Sequence, residues 1–363
     1  MKMKFCFFKR YWIACLAMLG FAMPQLRATS DIEKAIIENK LSAFEGLQMV
    51  YQKNAPAVVK VIASRKDESG KQFLVVGSGF FIDKQGHLIT NATIVYNAEN
   101  LWIDSRGAPS KATLIGFDPI TNISILKADT NGVEPSVVDL ETSSKLPEIA
   151  EALLMVSCEL GQDVSPNLGF ITGHNIRFGD KVLPTVYLRT SIPIFGGSVG
   201  APLFSLKGEF KGIAVAALPE LGGSFVLPAR AVNRVKDDIM LAQKVSYGWF
   251  GLVSREISDN INGVRVIVDI VVPDSPASKA GFEVGDVILA INGKSVETDK
   301  DLRWETFFVR AGELARFKVR RQDKELDMEM QVGRVNSEAI EKEKTSLEIT
   351  FKRSLIKEEA KAE

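Results

Sequence analysis

Only a handful of side chains in this sequence could do covalent chemistry, and their spacing decides what kind. Ser198 sits in Gly196-Gly197-Ser198-Val199-Gly200, a G-x-S-x-G string of the sort that raises a serine nucleophile on a sharp strand-to-helix turn. A serine hydroxyl attacks a carbonyl well only when a neighbouring imidazole takes its proton and a carboxylate orients that imidazole. The chain has two histidines, His87 and His174. Each reads as an ordinary surface or turn residue, His174 coming just after the Gly169-Phe170-Ile171-Thr172-Gly173 turn. The residues after Ser198 are also wrong for the elbow: Pro202, a Lys207-Gly208 turn and another strand stand where a helix is needed. Cys158 reads as a buried small apolar residue.

The elements that must position these residues are mostly short strands. With 363 residues, 46% of them hydrophobic, the chain can bury two substantial cores. Lysine plus arginine equals aspartate plus glutamate at 45 each, so charge offers no argument for nucleic acid as a partner. Three cysteines are too few for a disulfide framework, and Cys6 and Cys15 fall in a segment expected to be removed. Residues 1–30 read as a signal peptide: Lys2, Lys4, Lys9 and Arg10 precede an apolar run from Tyr11 to Met23, then Pro24 and the small cluster Ala28-Thr29-Ser30. The run is short for a membrane span, and whether it is cleaved or kept as an anchor stays open; either way the bulk of the chain is exported, to the periplasm or beyond.

Residues 31–46 come next as an amphipathic helix, opened by the capping box Ser30-Asp31-Ile32-Glu33 and carrying Ile32, Ile36, Ile37, Leu41 and Phe44 at helical spacing. From 47 to 240 the pattern is many short strands separated by Gly, Pro and Asn turns, closed by a helix from Ala229 to Lys244. The Ser64–Lys71 stretch reads as a short polar connection. A second unit spans 246–334, where Pro276 can start a helix, Gly281 and Gly285 permit turns, and Asn292-Gly293 is a hairpin dipeptide. Its second helix is expected over Leu302–Val309. Residues 335–363 form a dense Lys/Glu tail, too short for another such unit.

Three motifs carry a resemblance. Gly77-Ser78-Gly79-Phe80-Phe81-Ile82-Asp83 with Gly86-His87-Leu88-Ile89-Thr90-Asn91-Ala92-Thr93, then Gly116-Phe117-Asp118-Pro119-Ile120-Thr121-Asn122-Ile123, then Gly197-Ser198-Val199-Gly200-Ala201-Pro202-Leu203, together resemble the trypsin-like domain of the HtrA (Deg) family. The stretch Val272–Gly293 is similar to the PDZ pattern found after that domain. The resemblance implies a mainly β chain: a trypsin-like double six-stranded β-barrel followed by one PDZ domain, a β-sandwich with two helices. It implies that the catalytic His, Asp and Ser would stand at 93, 122 and 199. This sequence has Thr93, Asn122 and Val199 there. None can serve as base, charged orienting group or nucleophile, so the triad reads as degenerate and the chain as a pseudoprotease of the serine endopeptidase class.

By the same resemblance Gly197 and Val199 supply the backbone N–H groups of an oxyanion hole, and Trp249-Phe250-Gly251-Leu252 with Val253 forms a peptide-binding loop and strand. No cofactor or metal is called for. The expected partners are unfolded polypeptides or protein C-termini, held in a chaperone, scaffold or adaptor role within a protein quality-control setting. Two other readings stay open. One is a regulatory subunit in homo- or hetero-oligomers, trimers in particular, with active HtrA proteases; the other is an active serine endopeptidase with a non-standard catalytic set, for which a one-residue slip would put Ser198 at the nucleophile site, still without a base.

Overall fold

The structure is a computed structural model that describes residues 45–338 apart from 68, 142–144, 160–161, 180, 219–220, 260–262 and 337. The expected signal peptide, nearly all of the amphipathic helix and nearly all of the charged tail lie outside the described residues. The chain divides into two compact units, Met1–Val50 and Tyr51–Glu363, and of the first only 45–50, which are helical, are described. No helix among the described residues is long and apolar enough to cross a membrane.

The first barrel begins with alternation. In β1 (Val58–Lys66), Val59, Val61 and Ala63 are buried on one face, as a half-buried strand requires. This strand pairs on one side with β2 (Gln72–Phe81), which leads through β3 (His87–Asn91), β6 (Ile123–Ala128), β5 (Ala108–Asp118) and β4 (Asn100–Ser105) back to β1, closing a six-stranded antiparallel barrel. A second barrel repeats the order with β10 (Pro202–Ser205), β11 (Phe210–Leu218), β12 (Gly223–Pro228), β9 (Lys181–Thr190), β8 (Ser165–Phe178) and β7 (Ala152–Ser157). Closure leaves neither sheet an open edge. The barrels meet through buried aromatics, Phe80 of the first lying 5.5 Å from Phe210 of the second, ring centre to ring centre.

Three local expectations are corrected here. Gly169–Gly173 is not a turn but the middle of β8; the glycines are there for room, since a Cβ on Gly169 would meet Ile192 Cγ1 at 2.5 Å and one on Gly173 would meet the Arg189 guanidinium at 2.9 Å. The Ser64–Lys71 stretch is strand as far as Lys66, and it buries Arg65. The closing helix ends at Ala242, two residues early, because Gln243 takes a left-handed φ of 58° and its N–H returns to Ile239 O.

That helix buries Ala231, Val232, Val235 and Ile239 against the barrels. It leads into a six-stranded sheet with β14 (Leu252–Asp259) at one edge, followed by β15 (Gly263–Val271), β16 (Val287–Ile291), β18 (Leu314–Arg321) and β19 (Lys324–Gln331); β17 (Lys294–Ser295) pairs with β16. A small ladder of β13 (Gly248–Trp249) and β20 (Gly333–Arg334) ties the unit's two ends together. The punctuation residues do what their chemistry suggests. Ser275 caps a one-turn helix that opens with Pro276, Gly281 and Gly285 take φ of 82° and 96°, and Asn292-Gly293 takes φ of 48° and 76°, both positive as a tight hairpin demands. The buried carboxylate of Asp286 is gripped in a fork by Arg321, Nε to Oδ1 at 2.6 Å and Nη2 to Oδ2 at 2.7 Å. The second helix runs over Asp299–Phe307, three residues earlier than expected. The missed signal was a capping box: the Thr298 hydroxyl accepts from Asp301 N–H while the Asp301 carboxylate accepts from Thr298 N–H.

Naming the helices after β1 in chain order, α1 is the single turn Ala92–Val95, α2 is Ala229–Ala242, α3 is Pro276–Lys279 and α4 is Asp299–Phe307. α4 packs on β8 and β9, and its Glu305 meets Arg230 of α2 at 3.2 Å, so the third sheet is seated on the second barrel. The linker side chain Tyr247 closes that junction, its hydroxyl donating to Asp118 Oδ2 at 2.6 Å. Asp118 also accepts from Thr121 N–H at 2.8 Å and from the Thr121 hydroxyl. Burial raises its pKa in spite of these donors, which pull the other way. A folded-state value above the unfolded value of about 4 means the folded chain holds this proton more tightly. The group therefore favours folding at low pH, and that contribution is lost as the pH rises from the unfolded value through the folded one. Asp118→Asn should flatten this part of the stability curve; melting temperatures collected from about pH 4 upward would show no change of slope if the carboxyl does not titrate there.

Candidate functional site

The three motif positions converge at the seam between the barrels. Thr93 lies in α1, immediately after β3, and its backbone N–H donates to Asn122 Oδ1 at 2.9 Å. Asn122 ends the turn between β5 and β6 with a left-handed φ of 63°, a conformation asparagine tolerates better than most residues. Its carbonyl accepts from Ala92 N–H at 3.1 Å, and its Nδ2 donates across the seam to Val215 O at 3.1 Å. Asn91 Nδ2 reaches the same carbonyl at 3.3 Å. The Asn122 amide thus has its acceptor and its donor engaged, each by backbone. A carboxylate could keep the first contact but would turn an oxygen toward Val215 O in place of the second.

Under α1 sits Arg65, a residue that sequence reasoning passed over. Its guanidinium donates to Ile94 O at 2.8 Å and to Thr93 O, the end-of-helix carbonyls that have no partner within so short a helix. Burial pushes its pKa down to about 10. No periodicity signals such a residue, since a lone arginine between two polar neighbours reads as loop.

Val199 is held from the first barrel. Ser78 N–H donates to Val199 O at 2.8 Å, and the Ser78 hydroxyl donates to Gly197 O at 2.7 Å. The glycines of the motifs make this approach possible. Gly200, at φ 89°, lies so close that a Cβ there would meet Ser78 O at 2.2 Å, and one on Gly77 would meet the Ile94 side chain at 2.0 Å. Gly197 adopts φ 92° and Gly200 N–H donates to Ala214 O at 2.9 Å, next to the Val215 carbonyl that Asn122 uses. Thr93, Asn122 and Val199 therefore belong to one continuous set of contacts, with Gly197 in the same loop.

Ser198 points elsewhere. It is fully buried; its hydroxyl donates to Glu159 Oε1 at 3.3 Å and accepts from Phe195 N–H at 3.3 Å, and the chain beyond it enters β10 rather than a helix. Glu159 Oε1 also accepts from Asn167 Nδ2 at 2.7 Å, so Ser198 is one of several donors that fasten this loop from behind. The histidines are likewise committed to local partners. His87 Nδ1 lies 2.6 Å from Asp83 Oδ2 at the start of β3, and His174 Nε2 lies 2.8 Å from Pro147 O.

Cys158 is buried, as expected, and its N–H donates to the Ser78 hydroxyl at 2.9 Å. Burial pushes its thiol up to about 11. At neutral pH its thiolate fraction should be more than about a hundredfold below that of an ordinary cysteine. A thiol reagent should therefore label the folded protein that much more slowly than the urea-unfolded one; equal rates would show the site to be open.

The second candidate site is the edge of the third sheet. Trp249 is exposed in β13, while Phe250 turns inward, 6.1 Å from the Phe317 ring. The loop's carbonyls are taken inside: Phe250 O accepts from Ala277 N–H at 3.0 Å, and Gly251 O accepts from Val272 N–H at 2.8 Å and from the Ser275 hydroxyl at 3.2 Å. Gly251 takes φ 75° and lies against Ser275, where a Cβ would come within 2.1 Å of the serine Cβ, so only glycine fits. Leu252 then opens β14, partly packed on the sheet's core, and Val253 is exposed.

Comparison with known proteins bears on both sites. Residues 77–213 match a family model described as trypsin-like peptidase domain, and residues 235–332 match one described as PDZ domain. A protein of Pseudomonas putida named a probable periplasmic serine endoprotease DegP-like is 28% identical over 326 residues, covering 85% of this chain and 67% of the relative. One of the same name from Ectopseudomonas mendocina is 31% identical over 280 residues, covering 73% of this chain and 58% of the relative. The chain thus spans about two thirds or less of the length of these curated relatives. Among solved structures, the HtrA-type protease AlgW with tripeptide superposes with a TM-score of 0.65 at 22% identity, covering 80% of this chain and 97% of that one. The serine endoprotease from Yersinia pestis superposes with a TM-score of 0.56 at 23% identity, with 80% and 98% covered. The two family models, met in this order along two closed barrels and a third sheet, make the chain a trypsin-like peptidase domain followed by a PDZ domain.

Proposed function

We propose that this is a proteolytically inert HtrA-type protein of the periplasm that binds polypeptides, in particular protein C-termini, through its PDZ domain, as a chaperone, scaffold or adaptor. The relatives are named as periplasmic endoproteases, and the location carries over with the family. The activity does not. The observation that carries this is the Asn122 amide, which gives its oxygen to Thr93 N–H and its nitrogen to Val215 O. The place where a charged carboxylate would hold an imidazole is thus occupied by a neutral group whose hydrogen bonds run to backbone. Thr93 supplies no base at its position and Val199 no nucleophilic atom at its own, and loss of a full triad costs about 10⁶ in turnover. Binding in the second site is supported by an edge strand next to a loop whose carbonyls face inward, the arrangement that lets an extended peptide add to a sheet.

Purified protein lacking residues 1–30 is to be incubated with casein, beside a Ser198→Ala variant and a serine-reactive phosphonate. Neither protein should release peptides, and neither should take up the probe. Release that Ser198→Ala abolishes would sink the proposal and identify a rewired nucleophile.

A further inference from the structure

The groove between β14 and α4 is bridged by side chains, and their chemistry specifies its occupant. The Ser254 hydroxyl, on the strand, donates to Asp299 Oδ1, on the helix, at 2.7 Å. One step further along, Asp299 N–H donates to Glu256 Oε2 at 3.1 Å. Ser254 and Glu256 therefore face the helix, and two carboxylates meet across the groove. Among the described residues nothing pairs with β14 on its outer side, where it forms the edge of the sheet. Burial lowers the pKa of Arg303, one turn on along α4, with Asp299 opposing the shift and Arg177 of β8 adding to it, and Arg303 makes no ion pair with either carboxylate among the described residues. The level of Ser254 and Glu256 is thus acidic.

We propose that this groove selects chain ends that carry a lysine or arginine two residues before an apolar last residue. The inference rests on the peptide-capture reading above and adds its specificity. A strand added antiparallel to β14, with its terminus at Gly251-Leu252, puts its last side chain beside Phe250 and Leu252. Side chains alternate in a strand, so the one two residues earlier points the same way and arrives at Ser254 and Asp299. To enter, it must replace the hydroxyl that Asp299 now accepts from. A cation does so with a charge-assisted bond and also answers Glu256; a carboxylate there meets two like charges. An uncharged apolar residue would leave Asp299 without its donor.

The test is fluorescence anisotropy with the whole protein lacking residues 1–30 and short fluorescein-labelled peptides ending in valine. The peptides differ only in lysine or glutamate at the third residue from the end, each made with a free carboxylate and as the amide. The lysine peptide with a free carboxylate should bind about tenfold tighter than the glutamate one at low salt, with a smaller ratio as salt rises. Asp299→Asn should still bind peptide but lose most of that ratio. Equal affinity of the two free-acid peptides, with amidation weakening both, would overturn the charge selection and leave peptide capture standing. Indifference to amidation, or no binding of any peptide, would overturn peptide capture itself and this proposal with it.

Discussion

A variant carrying Thr93→His, Asn122→Asp and Val199→Ser together should release peptides from casein at least about 10³-fold faster than the parent, while each single change should release none. The all-or-none pattern comes from chemistry: a hydroxyl without a base, or a base without a nucleophile, completes no step. The expectation of success comes from the frame around the three positions. Thr93 N–H is already anchored on the side chain at 122, and Val199 is fixed by Ser78 N–H at 2.8 Å. The glycine conformations at 197 and 200 are in place. Asn122→Asp by itself carries a penalty, because it exchanges the Nδ2 bond to Val215 O for an oxygen facing an oxygen 3.1 Å away. That should cost about 1–3 kcal/mol of stability. Part of the cost should return when an imidazole is introduced at 93, and a double-mutant cycle in urea reads that coupling directly. A triple variant that is folded yet inert would mean that the cleft, and not only the triad, has lost its working shape.

The parts of this architecture written in local chemistry could be read from the sequence. The Asn292-Gly293 hairpin, the Pro276 helix start and the alternation in β1 are each set within a few residues, and the structure has all three. The three motif positions could be named because they sit inside recognisable strings. What was not legible depends on contacts distant in sequence. Gly169 and Gly173 look like turn formers, but they serve to admit Ile192 and Arg189, which no local pattern announces. Arg65 looks like surface and is buried under α1, where two carbonyls lack partners. Asn122 looks like a lost charge; its bond to Val215, on the other barrel, makes it a satisfied amide instead. The α4 start is different in kind, since Thr298 and Asp301 do form a readable cap and only the weight given to Leu302 hid it.

Arg234→Met should cost about 3 kcal/mol in urea unfolding and should loosen the third sheet from the barrels. Arg234 is 5% exposed, its guanidinium stacked 5.0 Å from the Tyr247 ring and 4.6 Å from the Phe307 ring, one in the linker and one in α4. Its Nη2 donates to Ser246 O at 2.7 Å, and Asp238 lies 3.9 Å away on the next turn of α2. Burial lowers its pKa while Tyr247 and Asp238 oppose the shift, so the charge is held by its surroundings at a desolvation cost. Methionine keeps the apolar stem but leaves Ser246 O without this donor and removes the cation from both rings. Asp238 retains Arg310 Nε at 2.6 Å and Ser246 N–H at 3.1 Å, which keeps the loss near the lower end for a broken buried pair. Arg234→Lys should not rescue, because an ammonium cannot lie flat between two aromatic faces and still reach the Ser246 carbonyl. Limited proteolysis separates this from general weakening: cleavage should appear first in the 243–247 linker. A loss below about 1 kcal/mol, or full rescue by lysine, would mean that α2 and α4 are joined mainly by their apolar contacts and that Arg230, 3.6 Å over the Phe308 ring, suffices to hold the PDZ domain in place.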